Sequence, residues 1–400
     1  MSLPRLGAAA LSLSLATSAA AQPFPDSHLA ARVDAVIEQA LADKRIVGTV
    51  VLIARNGEVV YRRAAGLADR EAGLPMREDA IFRLASITKP MVTAAAMRLV
   101  EEGRIGLDDP VARWLPDFRP RLADGTEPVV TIRHLLTHTA GLSYGFLEAE
   151  DGPYRRAGVS DGLAEPGMSL DENLRRIASV PLAFEPGRSW RYSVSLDVLG
   201  GVLEKAAGES LPVLVERLVT GPLGLPDTGF SVRDRGRLTV AYADGSPEPI
   251  RMRDHEAVRL GDGTVRFAPG RILDPASFPA GGAGMAGTAH DVLTFLEAIR
   301  KGGSPILKPE TVEQMMADQG GPQAQTQGPG WGFGYGWAVL ADPGPAGTPQ
   351  PKGTIQWGGA YGHSWFVDPA NGLTVVALTN TAFEGMSGDF PRQIRDAVYR

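Results

Sequence analysis

"RLASITKP", residues 83–90, sets Ser86 three positions ahead of Lys89 at the mouth of a long apolar run. Side chains at i and i+3 of a helix share a face, so the lysine amine can stand beside the serine oxygen. A serine hydroxyl is a weak nucleophile and needs such a neighbour. Burial against Ile87, Pro90, Met91 and Val92 would favour the neutral amine, which can take a proton. Held charged, the same group can instead polarise a second base. A serine at a helix start also offers its backbone N–H, with the positive helix end, to a developing oxyanion. The plainer alternative is a helix-capping serine followed by a surface lysine. S-x-x-K alone fits both, but a solvated lysine fits poorly among these apolar neighbours.

Working outward, "MVTAAAMRLVEEG" (91–103) is apolar almost all round in its first three turns, which predicts a helix inside a domain. Upstream, "SHLAARVDAVIEQALAD" (27–43) carries Leu29, Val33, Val36, Ile37, Ala40 and Leu41 on one helical face. Two β-rich runs then flank Asn56-Gly57, a hairpin signal because both residues tolerate positive φ. Strand character returns near the C-terminus in "WGFGYGWAVL" (331–340), "TIQWGG" (354–359), "HSWFVD" (363–368) and "LTVVALTN" (373–380). Asn371-Gly372 joins the last two, "HDVLTFLEAIRKGG" (290–303) precedes them as a helix, and "DFPRQIRDAVYR" (389–400) closes the chain as another. The expected fold class is α+β. Residues 22–105 and 288–400 form an α/β domain with an antiparallel sheet flanked by the first and last helices. Residues 106–287 form a mainly helical inserted domain, with "TIRHLLTHTAGL" (131–142) and "SLDVLGGVLEKAAGE" (195–209) among its helices.

The 400 residues are 44% hydrophobic, enough for a large core. The 48 glycines and 31 prolines exceed the usual combined share of about 12%. They are scattered, which reads as many turns in a compact chain. The 40 basic and 46 acidic side chains give a net charge of -6 and form no cationic run. That argues against a nucleic-acid partner, which needs clustered cations. Cysteine is absent, so disulfides, a thiolate nucleophile and Cys metal sites are excluded. "MSLPRLGAAALSLSLATSAAAQ" places Arg5 before an Ala/Leu-rich stretch and a small-residue cleavage site at Ala19-Ala20-Ala21. Residues 1–21 thus read as a secretory signal peptide, implying an exported, periplasmic or secreted protein; the alternative is a disordered Ala-rich leader, which if not cleaved leaves the protein cytoplasmic. No other apolar run approaches the roughly 20 residues that span a bilayer.

Four further stretches follow the opening one in a fixed order: "TIRHLLTHTAGL", "FEPGRSWRYSVSLDVLG" (184–200), "WGFGYGW" and "WGGAYGHSWFVDP" (357–369). In this ordered set the chain resembles the serine β-lactamase and penicillin-binding protein group, in its class C branch, and most of all the family VIII bacterial carboxylesterases. The resemblance runs over essentially the whole mature chain and implies a β-lactamase/transpeptidase-like fold. It also implies an acylated nucleophile at Ser86, with Lys89 as its partner. Tyr192 of Tyr-Ser-Val would be the general base and later acid, its proton loosened by a cationic Lys89. Trp357-Gly358-Gly359 takes the place of the family's Lys-Thr-Gly element, and the Ala360 N–H would complete the oxyanion hole with that of Ser86.

Two departures from the wider group bear on substrate. Val194 stands where an amide side chain helps hold the substrate, and Trp357 where a lysine helps bind its carboxylate. Their loss replaces polar recognition with an apolar wall, so a substrate carboxylate would pay desolvation without gaining a partner. The expected reaction is hydrolysis of neutral, short-chain esters, with no cofactor and no metal. A β-lactamase, a D-amino peptidase or a non-catalytic cell-wall ligand-binding homologue remain alternatives, and oligomeric state stays open.

Several other residues have plainer readings. "GVSDG" (158–162) matches G-x-S-x-G, but its flanks are neither a buried strand nor a supporting helix. Ser160 is therefore expected in a loop, although His255, His290 and His363 follow it as notional partners. His134 and His138 have the i, i+4 spacing of a metal pair without the glutamate of the zinc-protease motif, so packing is the expected role. His363 is expected behind the site. Trp357, Tyr361, Tyr144 and Phe146 are the aromatic candidates for pocket walls.

Overall fold

The computed structural model describes residues 28–261 and 263–400. The leader predicted at 1–21 lies outside the described residues. Helix α1 (Leu29–Ala42) precedes strands β1 (Gly48–Arg55), β2 (Glu58–Asp69) and β3 (Leu74–Pro75). Asn56 (φ 53°) and Gly57 (φ 92°) make the β1–β2 turn in the left-handed conformation that their sequence predicts. Helix α2 (Thr88–Glu101) begins two residues after Ser86, and α3 (Ser195–Ala207) and α4 (Ala289–Arg300) follow in the chain. Strands β4 (Trp331–Phe333), β5 (Ala338–Leu340), β6 (Ile355–Gly359), β7 (His363–Asp368) and β8 (Leu373–Thr379) precede the last helices, α5 (Ala382–Ser387) and α6 (Asp389–Tyr399).

The eight strands form one antiparallel sheet in the order β4-β5-β6-β7-β8-β1-β2-β3. Next to its midline lies the β8–β1 pair, in register from Thr49 opposite Thr379 to Arg55 opposite Leu373. Alternation along β1 sorts the two faces, because successive side chains point to opposite sides. Val51 and Ile53 pack under α1 and α6 with Val33, Ile37, Phe390 and Ile394. Val50, Leu52 and Ala54 join the larger core with Met91, Ala95 and Leu99 of α2 and Val292 and Phe295 of α4. That larger core also takes in Leu135, Val198, Leu199 and Leu214, so apolar packing is continuous from the sheet into residues 106–287.

The fold differs from the sequence reading in three places. "WGFGYGWAVL" is two antiparallel strands, not one: Gly334 N–H donates to the Trp337 carbonyl at 3.0 Å and Gly336 takes φ 94°, reversing the chain. "TIRHLLTHTAGL" is helical only over Ile132–Leu136, capped by the Thr131 side chain and left behind at His138, whose φ is 55°. Residues 106–287 carry two-stranded ribbons beside their helices, Tyr242–Ala243 with Ile250–Arg251 and Glu256–Leu260 with Gly263–Phe267. Leu260 and Val265 of the second ribbon line a cavity that Ser86 also lines. Among the described residues no helix is long and apolar enough to cross a membrane.

Candidate active site

Ser86 lies in a single 3₁₀ turn, Ala85–Ile87, that feeds directly into α2. Ala85 holds φ 45°, an unfavourable value for a residue with a Cβ. Such a turn persists only where surrounding packing fixes it, and here it brings the serine out at the head of a buried helix. Lys89 follows one turn later and is fully buried. Its Nζ donates to Ser86 Oγ at 3.1 Å and to the Gly282 carbonyl at 2.7 Å. Tyr192 Oη donates to Ser86 Oγ at 2.7 Å. The serine oxygen is thus held between an amine three residues on and a phenol 106 residues further along the chain.

No carboxylate lies within ion-pair distance of Lys89 among the described residues. Its environment is aromatic and peptidic instead. The Nζ sits 4.6 Å from the Tyr192 ring centre and 5.4 Å from that of Tyr144, a geometry in which ring faces stabilise a cation. Asp197, on the first turn of α3, is fully buried and accepts the Gly282 N–H at 3.1 Å. One peptide residue therefore links the two charges: its carbonyl takes the amine and its N–H serves the carboxylate. Burial pushes the Asp197 carboxyl up to about 6, and the nearby Lys89 charge opposes that rise. Tyr144 is buried, stacked on Phe146 at 4.6 Å, and held well above the usual phenol range first by burial and then by Tyr192.

Strand β6 runs beside the nucleophile turn. Gly359 passes so close that a Cβ there would lie 2.4 Å from the Leu84 carbonyl oxygen, so only glycine admits this approach. After Gly359 the chain turns, with Gly362 N–H donating to its carbonyl at 2.9 Å. Ala360 lines the cavity within that turn, and its N–H donates to no protein acceptor among the described residues. Trp357 packs edge-on against Tyr192 at 5.3 Å and Phe333 at 5.4 Å, buttressing the phenol. The cavity measures about 760 Å³, and Ser86 shares its lining with Tyr144, Phe146, Asp161, Tyr192, Trp357 and Gly358.

The structure thus brings Ser86, Lys89, Tyr192, Tyr144, Trp357, Gly358, Gly359 and Ala360 together. Two expected wall residues lie elsewhere. Val194 is fully buried at the start of α3, inside the main apolar core, and so cannot touch a substrate. Tyr361 turns away from the cavity to pack on Phe267 at 4.9 Å and lines a separate hollow of about 20 Å³ with Arg83 and Arg271. His363 sits behind the site as expected: its Nε2 donates to the Arg83 carbonyl at 2.7 Å, and burial pulls it down to about 4, keeping it neutral. His134 closes a capping box with Thr131, whereas His138 is buried with Nδ1 on Ser193 Oγ at 3.1 Å. The two histidines thus serve different partners. Ser160 is fully buried in a loop, its backbone clamped by Asn173 and its Oγ accepting from Gly162 N–H at 3.2 Å. It has no histidine partner among the described residues.

Asp197, Gly282 and Asp161 are the site residues that the sequence did not disclose. Asp197 lies five residues after Tyr192 in the first turn of a helix, where an acid ordinarily reads as a complement to the helix dipole. Gly282 acts through its peptide, which no residue type reveals.

An activated serine with a lysine and a tyrosine at its oxygen, facing a backbone N–H, suits acyl transfer. The Beta-lactamase family matches residues 33–399. The chain is 59% identical over 377 residues to Esterase EstB of Burkholderia gladioli, covering 93% of this chain and 96% of that one. Among solved structures it superposes on EstCE1, "a hydrolase with promiscuous acyltransferase activity", with a TM-score of 0.92 and 52% identity over 94% of this chain and 99% of that one. The octameric penicillin-binding protein homologue from Pyrococcus abyssi shares the fold at a TM-score of 0.68 and 23% identity, over 91% of this chain and 75% of that one.

Proposed function

The chain belongs to the beta-lactamase family, in its family VIII carboxylesterase branch, and is a carboxylic ester hydrolase; from that premise we propose that it cleaves neutral, short-chain esters through an acyl-enzyme on Ser86. The observation that carries this reading is the convergence of Lys89 Nζ and Tyr192 Oη on Ser86 Oγ at 3.1 and 2.7 Å. Tyr192 passes its own proton to Lys89 Nζ and accepts that of Ser86 while Oγ attacks the ester carbonyl. The resulting oxyanion lies toward the backbone N–H groups of Ser86 and Ala360. Tyr192 then returns the proton to the departing alkoxide, leaving the acyl group on Ser86. A water molecule repeats the cycle, giving its proton to Tyr192 and its hydroxyl to the acyl carbon, and the acid leaves as Oγ is reprotonated.

Substrate preference follows from the walls. Trp357, Tyr144, Phe146 and Leu163 line the cavity of Ser86 with ring and alkyl surface, and the arginines that also line it, Arg392 and Arg395, are paired with Asp389 and Asp396. An ester carboxylate there would be desolvated without a partner. The likeness to EstCE1 supports a second fate for the acyl-enzyme, transfer to an alcohol in place of water.

Turnover of p-nitrophenyl acetate and of nitrocefin by the wild type, Ser86→Ala, Lys89→Ala and Ser160→Ala tests the assignment. The expected pattern is ester turnover by the wild type and Ser160→Ala alone, with nitrocefin left largely intact. Activity in Ser86→Ala with loss in Ser160→Ala would overturn it, and efficient nitrocefin turnover with negligible ester turnover would return the chain to β-lactam chemistry.

A further inference from the structure

The loop that mimics a nucleophile motif, "GVSDG", supplies the cavity with a charge that the proposed esterase chemistry does not use. Ser160 points into the protein, but its neighbour Asp161 lines the same cavity as Ser86, Tyr192 and Trp357. Its Oδ1 accepts the Leu163 N–H at 3.1 Å. Among the described residues no lysine, arginine or histidine nitrogen comes within 4.0 Å of its carboxylate. The other charged side chains that line the cavity are already paired. Glu384 pairs with Arg45, Asp389 with Arg392 at 2.8 Å, and Arg395 with Asp396 at 2.7 Å. Asp161 is therefore an acidic side chain of this cavity without an ion pair among the described residues, and the rings of Phe146, Tyr192 and Trp357 line the same cavity.

An unpaired carboxylate beside aromatic surface favours one kind of guest. A substrate carboxylate would meet like charge, and a neutral group would leave the acid unpaired. An alkylammonium group would pair with the carboxylate, present its methyl or methylene groups to the rings, and gain cation–π attraction. We infer that this cavity takes esters bearing an alkylammonium group, with Asp161 as the counter-charge. The inference rests on ester hydrolysis at Ser86 and extends its substrate class from neutral esters to cationic ones.

The state of Asp161 decides the conditions of the test. Burial, then the neighbouring Glu165, pushes its carboxyl up to about 7; Asp197 adds to the rise, while Arg155 opposes it. Arg271 and the phenols of Tyr144 and Tyr361 are its other electrostatic neighbours. Asp161 is thus ionised on the alkaline side of neutrality, and a bound ammonium would hold it ionised further down.

Acetylcholine and 3,3-dimethylbutyl acetate differ only in a quaternary nitrogen against carbon, so their kcat/KM ratio at mildly alkaline pH isolates the charge. The wild type should favour acetylcholine by about tenfold, the size of one good cation contact, and Asp161→Asn should bring the ratio to near one. Tetramethylammonium should also inhibit wild-type hydrolysis of the carbon analogue competitively, which needs no variant to fold. A wild-type ratio near one, or no inhibition by tetramethylammonium, overturns the inference and leaves the esterase reading standing. Loss of p-nitrophenyl acetate turnover in the wild type would overturn both.

Discussion

Lys89 and Asp197 face each other across a single residue: the Gly282 carbonyl accepts from Lys89 Nζ at 2.7 Å, and the Gly282 N–H donates to Asp197 Oδ1 at 3.1 Å. The amine is thereby positioned without a direct carboxylate contact, which would pull it away from Ser86. The arrangement has a cost, because a fully buried carboxyl with a folded-state value of about 6 takes up protons more readily than the same group in the unfolded chain. Its contribution to stability is present below the unfolded value near 3.8 and is lost as pH rises through about 6. Asp197→Asn keeps the Gly282 contact and removes the titration. Denaturant unfolding should show the variant gaining up to about 3 kcal/mol on the wild type between acid and neutral pH. Equal pH dependence in the two proteins would refute this account of Asp197.

Lys89 itself should matter for rate far more than for folding. Lys89→Met keeps the length of the stem and its burial but removes the amine that faces Ser86 Oγ. Ester turnover should fall by about 10²–10⁴. Stability should change by only about 1–3 kcal/mol, because the Gly282 carbonyl loses its donor while a buried charge disappears. Paired measurement of kcat and of urea unfolding separates the two, and a variant that unfolds at room temperature would show Lys89 to be chiefly structural.

The approach of β6 to the nucleophile turn makes Gly359 a sensitive position. A methyl group there would meet the Leu84 oxygen at 2.4 Å, and backbone cannot step aside as a side-chain end can. The strand must retreat and carry Ala360 with it. A shift on the order of 1 Å in a positioned group can cost about 10² in rate, so Gly359→Ala should lower kcat by that order. Gly229→Ala is the matched control, since a Cβ at Gly229 meets nothing within 4 Å. If Gly359→Ala keeps full activity, the strand does not set the oxyanion geometry.

Much of this was legible in sequence, and the reasons for the rest are physical. Period-2 alternation along β1 and the Asn56-Gly57 turn are local signals, and the β1–β2 hairpin follows from them. Ser86, Lys89 and Tyr192 were legible because each carries its chemistry in its side chain and lies in an ordered set of motifs. The resemblance puts Val194 at the substrate, in the place of the family's amide side chain, and the aromatic run after Trp357 puts Tyr361 at the pocket wall. At the start of a helix and in a tight turn, adjacent side chains diverge, one into the core and the other behind the site. Asp161 was passed over because the loop that holds it has no periodicity, and only the tertiary fold carries it to the cavity.

The neutrality of His363 leads to a last expectation, one that distinguishes a buttress from a base. Its ring is buried, its Nε2 is committed to the Arg83 carbonyl three residues before Ser86, and burial takes it down to about 4. The unfolded chain therefore binds a proton at His363 that the folded chain refuses. This stabilising contribution is present above pH ~6.5 and is lost as pH falls through about 4. His363→Gln should keep a donor for the carbonyl while losing the titration, so its stability should decline less than that of the wild type as the medium is acidified. Its pH–rate profile should keep the wild-type shape over the range in which both proteins stay folded, because a ring neutral throughout that range cannot supply a limb of the profile. Disappearance of a limb near neutral pH in the variant would move His363 from the wall behind the serine into the proton transfers themselves.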